Sequence, residues 1–253
     1  MRITIVNLKS QDSHAPAVDI DHFQAGVRAI NRQVMSDFEP EWGGHATLVG
    51  VSTHLRSGRL APIQGNREAI IYVGRSHDDP TTGVEGALGY HSTNHKGVAY
   101  GFVYLDIVKE FGDDWCATLS HEVLETLADP SAMLTVKGPS PKDHTKAVFY
   151  DLEVCDPTQG DAYHIDGLRV SNFVGRAYFG LAGGSGKTNF LDLPLVPLGV
   201  RPGGYFQYED AHGGVHQVDG DKVSRAMLAA KAKIKDGRRL TRRAEFIERL
   251  AKL

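Results

Sequence analysis

The sequence predicts a mixed fold of helices and strands (α/β, in the α+β arrangement), with an irregular C-terminal lobe. Short runs of β-branched residues alternate with segments whose apolar residues recur at helical spacing. The chain has 253 residues, 41% of them hydrophobic and 23% charged. This is the composition of an ordinary globular protein, and the length is sufficient to bury a full core.

The first half of the chain predicts five strands and a long helix. Strands are predicted at residues 2–8, 46–53, 69–73, 84–91 and 98–107. The last two are predicted to form a hairpin, with a turn around residues 94–97. Apolar residues at helical spacing predict a helix from about Asp19 to Asp37. The segment after it, which contains Pro40, predicts a break in the chain.

A second helix, beginning near Trp115, is the centre of the functional prediction. Asp113 or Asp114 offers an N-cap oxygen at the positive end of the helix dipole. Pro130 ends the helix, because the residue before a proline disfavours the α region. One stripe of the helix is apolar and consists of Trp115, Leu119, Val123 and Leu127.

The charges on this helix require an explanation. His121, Glu125 and Asp129 follow one another at four-residue spacing, and Glu122 adjoins them. The chain from 110 to 136 carries six carboxylates and no Lys or Arg. Like charges one turn apart destabilise a helix, and anions are disfavoured at its C-terminal end. A bound cation reverses both penalties, so a metal site is the leading prediction; a solvated acidic face is the alternative.

The motif His121-Glu122-x-x-Glu125 is an HExxE variant of the HExxH helix. Together with the predicted order of strands and the hairpin before the helix, it resembles the N-terminal half of zincin-type metallopeptidases. This resemblance covers roughly residues 1–130. It implies a zincin-like mixed sheet whose edge strand aligns a peptide substrate beside the active-site helix.

The resemblance also implies roles for the motif residues. His121 is the expected first metal ligand, Glu125 the second, and Glu122 the general base. Zn²⁺ is the expected cofactor, with three protein ligands and an open position for water. Zincins usually have histidine where this chain has Glu125, which makes the site more anionic and harder. Ca²⁺ and Mn²⁺ are therefore the alternative metals.

Three segments carry a closer resemblance, which extends to about residue 180. They are Ser120–Pro130, Glu153–Pro157 and Ser171–Val174. These segments resemble a group of largely uncharacterised bacterial and phage-type proteins. That similarity carries no established activity with it.

The third ligand is expected from a downstream acid. Glu153 is the first choice and Asp129 the alternative, although a straight helix can hardly direct His121, Glu125 and Asp129 at one point. Asp156 is predicted to orient His121 from behind. A simple turn before a proline is the alternative for Glu153 and Asp156, and a calcium site of Asp129, Glu153 and Asp156 is another. His91 is predicted as a loop residue that lines the substrate cleft.

The domain prediction divides the chain into three parts. Residues 1–135 form an N-terminal subdomain with the HExxE helix, and residues 136–221 form a lobe that supplies further acids. Residues 222–253 form a basic helical tail with 11 Lys/Arg against 3 Asp/Glu. An acidic partner or self-association is predicted for the tail. Specific nucleic-acid binding is not, because the tail has only one aromatic residue, Phe246.

Cellular location and competing motifs complete the sequence predictions. No apolar run approaches the roughly 20 residues of a membrane span, and residues 1–7 predict a strand rather than a signal peptide. The predicted location is cytoplasmic, with a virion or non-classical export as alternatives. The segment Gly183–Thr188 resembles a phosphate loop, but Leu181 occupies a required glycine position and no helix can follow.

The predicted function is zinc-dependent hydrolysis of peptide or amide bonds, with a peptide or protein as substrate. The alternative is a non-enzymatic, zincin-like structural or particle-associated protein with a structural Zn²⁺ or Ca²⁺.

Overall fold

The structure, a computed structural model, describes residues 1–9, 17–54, 68–79, 88–94 and 97–221. The strands are β1 Arg2–Lys9, β2 Thr47–His54, β3 Glu68–Gly74, β4 Gly89–Thr93, β5 Ala99–Tyr104, β6 Thr135–Pro139, β7 Ala147–Asp151, β8 Ala162–Ile165, β9 Leu168–Ser171, β10 Tyr205–Glu209 and β11 Val215–Asp219. The α-helices are α1 Ile20–Gln33, α2 Glu39–Trp42, α3 Leu105–Glu110 and α4 Trp115–Ala128. These elements confirm the predicted mixed class of helices and strands.

The first sheet has five strands in the order β2-β1-β3-β5-β4. The four strands from β2 to β5 in this order are parallel, and β4 is an antiparallel edge strand paired with β5. The predicted hairpin before the active-site helix is therefore confirmed. The prediction that its second strand runs to residue 107 is wrong. The chain turns into α3 at Leu105, because Leu105 and Val108 lie one turn apart and are both buried in the core.

The predicted break in the chain comes at Gly43, where φ is +71°, and not at Pro40. The chain remains helical from α1 through a π turn at Val34–Phe38 and on into α2. Pro40 lies in the first turn of α2, directly after the π turn. The indole of Trp42 holds this end of the helix by donating to the carbonyl of Val174 at 2.9 Å.

The second half of the chain contains a four-stranded antiparallel sheet in the order β11-β10-β7-β6. The prediction of an irregular C-terminal lobe is wrong for β10 and β11, which form a hairpin. Strands β8 and β9 form another hairpin, with Asp166 and Gly167 at its turn. Both turn residues have positive φ, 52° and 80°, as a two-residue type I′ turn requires.

Helix α4 passes through the hydrophobic core and packs against β4, β5 and β9. All residues from Cys116 to Thr126 are buried, so the apolar stripe is only part of its buried surface. The alternative of a solvated acidic face is therefore wrong. Because the core cluster also includes Val148, Val154 and Phe173, it joins α4 to the downstream half of the chain.

Within the described ranges, no helix combines the length and the apolar character needed to cross a membrane. The predicted basic tail, residues 222–253, lies outside the described residues. The division at residue 135 stays a prediction.

Candidate metal centre

Helix α4 owes its position to capping at its N-terminus and packing along its length. Asp114 is the N-cap residue, and its carboxylate accepts hydrogen bonds from the backbone N–H groups of Cys116 at 2.8 Å and Ala117 at 3.0 Å. The helix ends at Ala128, two residues before Pro130, as predicted. This geometry brings His121, Glu122 and Glu125 into the interior of the protein.

Six ionisable side chains meet at this point, and each is at most 6% exposed. One comes from β4, three from α4 and two from the segment after β7. They are His91, His121, Glu122, Glu125, Glu153 and Asp156. Burying several charges together is costly unless they are paired or bind a metal.

His121 lies between two carboxylates. Its Nε2 is 3.1 Å from Oε1 of Glu125 and 3.1 Å from Oδ1 of Asp156. Ligands of a tetrahedral zinc, at about 2.0–2.2 Å from the ion, lie about 3.3 Å from one another. Both distances from Nε2 are therefore close to the separation between ligands of one metal ion.

His91 lies on the other side of Glu125. Its Nδ1 is 3.5 Å from Oε2 of Glu125 and 3.7 Å from Oε2 of Glu122, and its Nε2 is 3.9 Å from Oε2 of Glu153. The prediction that His91 is a loop residue is wrong, because it belongs to β4. Its role in a substrate cleft stays a prediction.

The electrostatics of His91 reflect the surrounding carboxylates. Burial alone lowers the pKa of the imidazole, but the charge of Glu153 and the interactions with Glu122 and Glu125 outweigh it and raise the pKa to about 10. Burial, together with the charge of Glu125, also raises the pKa of the Cys155 thiol well above its usual value. The cluster therefore holds positive charge strongly.

Glu153 and Asp156 are held by the chain segment after β7. The backbone N–H of Cys155 donates to Oε1 of Glu125 at 3.4 Å, and the N–H of Val174 donates to the carbonyl of Val154 at 2.7 Å. Asp156 begins a single 3₁₀ turn through Thr158, so the turn expected before Pro157 is present as well. Oxygen atoms of Glu125, Glu153 and Asp156 lie within 4.8 Å of one another.

Asp129, the alternative third ligand, does not join this group. Its carboxylate accepts hydrogen bonds from the N–H and hydroxyl of Ser131, at 3.1 Å and 2.6 Å, and from the N–H of Leu134 at 2.7 Å. It therefore organises the turn that follows α4. A helix cannot direct the side chains of His121, Glu125 and Asp129 at one point. Asp129 is instead the residue that ends α4, as its C-cap.

Two further features of the site were not predicted. Sγ of Cys155 lies within 4.8 Å of ligand atoms of His121 and Glu125. Gln33 fixes the back of α4: its Oε1 accepts from the Ser120 hydroxyl at 2.7 Å, and its Nε2 donates to the carbonyl of Ser171 at 2.8 Å. Ser120 and Ser171 belong to two of the segments that carry the closer resemblance. Gln33, however, lies 87 residues before Ser120, so no local pattern indicates the contact.

A small cleft of about 20 Å³ reaches His121 from the surface. Thr118, Gln159, Arg169 and Ser171 are among its lining residues. A larger cavity of about 390 Å³ lies beside Glu41 and Phe173 and contains none of the six clustered side chains. Of these two cavities, the cleft at His121 is the one that borders the cluster.

Comparisons of the chain with protein-family models, with characterised proteins and with solved structures give no match.

Proposed function

We propose that this protein is a metal-dependent hydrolase of peptide or amide bonds, with Zn²⁺ as the metal. The observation that supports the proposal most is the position of His121 Nε2, at 3.1 Å from carboxylate oxygens of both Glu125 and Asp156. These three groups supply nitrogen and oxygen ligands of the kinds that zinc accepts. In this proposal Asp156 supplies the third ligand, although Glu153 was the first choice from the sequence.

The residues present fit a cation. Among the described residues, neither ring nitrogen of His91 nor Oε2 of Glu122 has a hydrogen-bond partner, although all three atoms are buried. A buried polar atom without a partner costs about 1–3 kcal/mol. A divalent ion, when bound, satisfies such atoms and supplies the Lewis acid that activates water for hydrolysis.

Glu122 is the residue that accepts the proton in this proposal. Its side chain lies against the edge strand: a Cβ atom added at Gly89 would be 3.0 Å from Oε1 of Glu122. Strand β4 pairs with β5 on one side only within the described part of the chain. An edge strand offers backbone groups that bind an extended peptide, so the base and the peptide-binding edge adjoin each other.

A structural metal is the second candidate, and the burial of the cluster favours it. Structural zinc sites are closed, whereas catalytic sites keep a position open to substrate. Every side chain of the cluster is at most 6% exposed, and the cleft that borders His121 has a volume of only about 20 Å³. In this second function the protein binds Zn²⁺ or Ca²⁺ for stability and cleaves nothing.

Metal analysis combined with a cleavage assay separates the two functions. The purified full chain is loaded with Zn²⁺, and casein cleavage is compared for wild type, Glu122→Gln and His121→Ala. Metal and cleavage in the wild type, with cleavage lost in a Glu122→Gln variant that still holds metal, support the hydrolase. Metal without cleavage in the wild type supports the structural role. A sample that holds no metal after it has been loaded with Zn²⁺ contradicts both functions.

A further inference from the structure

The charge of the cluster exceeds what one divalent ion neutralises. Four carboxylates (Glu122, Glu125, Glu153 and Asp156) carry −4, and the two imidazoles are neutral when they bind metal. One divalent ion leaves −2, and two leave 0. Uncompensated charge inside a protein is strongly unfavourable, so the cluster matches two divalent ions better than one.

The two oxygens of Glu125 face different histidines. Oε1 is 3.1 Å from Nε2 of His121, and Oε2 is 3.5 Å from Nδ1 of His91. Each oxygen also has a second carboxylate neighbour across its histidine, Asp156 on one side and Glu122 on the other. Glu125 thus stands between two separate sets of donors. Carboxylates in this position bridge metal pairs about 3.5–4 Å apart.

We infer that the protein binds two divalent ions bridged by Glu125. The first ion takes His121, Asp156 and Oε1 of Glu125, and the second takes His91, Glu122 and Oε2 of Glu125. In the second set, His91, Glu122 and Glu125 each offer a ligand atom, and these atoms lie within 4.8 Å of one another. This inference rests on the proposed metal-dependent function and extends it from one ion to two.

The environment of His91 supports the second ion by an argument that does not depend on the summed charge of the cluster. Its side chain is 1% exposed, and neither ring nitrogen has a hydrogen-bond partner among the described residues. The nearest acceptors of Nδ1, at 3.5 Å and 3.7 Å, are at ligand-to-ligand rather than hydrogen-bond distance. With Nδ1 on the ion, the N–H at Nε2 points toward Glu153, which then orients the ring as a carboxylate does behind a metal-bound histidine.

The two-ion arrangement leaves the proposed base in place. A carboxylate has two oxygens, each able to accept. Glu122 binds the second ion through Oε2, and Oε1, on the side of Gly89, remains available for the proton.

Counting the ions tests the inference. Metal-free full-length protein is titrated with Zn²⁺ or Mn²⁺, and bound metal per chain is measured after gel filtration and by native mass spectrometry. Two ions are expected for the wild type, and one each for His91→Ala and His121→Ala. Asp129→Asn changes a carboxylate of the same helix outside the cluster and is expected to retain two. Circular dichroism of each metal-free variant, with His91→Asn as a closer replacement, separates lost binding from lost folding.

Electron paramagnetic resonance of the Mn²⁺ form tests the bridge. Two ions that share Glu125 give an exchange-coupled signal, and Glu125→Gln is expected to abolish that coupling. One ion per wild-type chain overturns the two-ion inference and leaves the metal-dependent function standing. Two uncoupled ions overturn the bridge. No bound metal overturns both proposals.

Discussion

Two regions of this protein bury carboxylates in opposite ways. Glu41 is 8% exposed, and its two oxygens accept hydrogen bonds from the backbone N–H groups of Arg176, at 2.7 Å, and Ser185, at 2.6 Å. In the cluster on α4, carboxylates instead face one another and two histidines. Backbone N–H groups of the chain bind the first carboxylate, whereas for the second region we propose a bound metal.

The glycine-rich segment explains how Glu41 is held. Gly184 has a φ of +72°, and a Cβ atom there would lie 2.3 Å from Oε1 of Glu41. Only glycine lets the backbone approach a carboxylate this closely. The segment that resembles a phosphate loop therefore does cradle an anion, and that anion is a side chain of the same protein.

The largest expected difference between the regions is the response to metal. Zn²⁺ at 100 times its Kd is expected to raise the free energy of unfolding of the wild type by about 2.7 kcal/mol. Glu125→Gln is expected to abolish most of this gain, because it removes one charge and one ligand oxygen. Denaturant unfolding with Zn²⁺ and with EDTA measures both values. An undiminished gain in Glu125→Gln would contradict a role for Glu125 in metal binding.

Glu41→Gln is the matched change in the other region, with the same loss of one charge. It is expected to destabilise the protein by about 1–3 kcal/mol, because an amide NH₂ then faces a backbone N–H in a buried position. The loss should be equal with Zn²⁺ and with EDTA. The same unfolding curves give the result, and a loss that depends on metal would mean that the two regions are coupled.

A smaller effect is expected at the N-cap of α4. Asp114→Ala removes hydrogen bonds to the N–H groups of Cys116 and Ala117 and should cost about 1 kcal/mol. Because Asp114 is outside the cluster, the number of bound ions should not change. Asp114→Asn keeps an acceptor and is expected to recover most of the loss in thermal unfolding; no recovery would indicate that charge rather than capping matters.

The contrast between the regions also indicates what the sequence can predict. His121, Glu122 and Glu125 are one helical turn apart, so a local rule is sufficient to bring them together. The strands and the hairpin turn at Asp166-Gly167 likewise follow from local patterns. The mixed fold was predictable for this reason.

Long-range contacts were not predictable in the same way. Glu41 meets Arg176 and Ser185 across 135 and 144 residues, and no local pattern indicates such a pairing. His91 belongs to a five-residue edge strand whose position depends on pairing with β5. Glu153 as third ligand was predicted from its distance along the sequence, which does not indicate that Asp156 lies 3.1 Å from His121.

Asp210 is a carboxylate in a third setting, where its side chain is 32% exposed. The smallest effect is expected here. Its Oδ2 is 2.7 Å from Nε2 of His216, and its Oδ1 accepts from the N–H groups of Gly214 and His212. The hydrogen bond with His216, followed by those backbone bonds, lowers the pKa of Asp210 to about 2. A folded-state pKa below the usual 3.8 stabilises the fold above pH 3.8, and this contribution is lost as the pH falls toward 2. NMR titration of the carboxylate measures the pKa directly, and His216→Gln should raise it toward 3.8 with little change in stability at pH 7 because solvent screens the pair. An unchanged pKa in that variant would mean that the backbone hydrogen bonds from His212 and Gly214, and not His216, lower the pKa of Asp210.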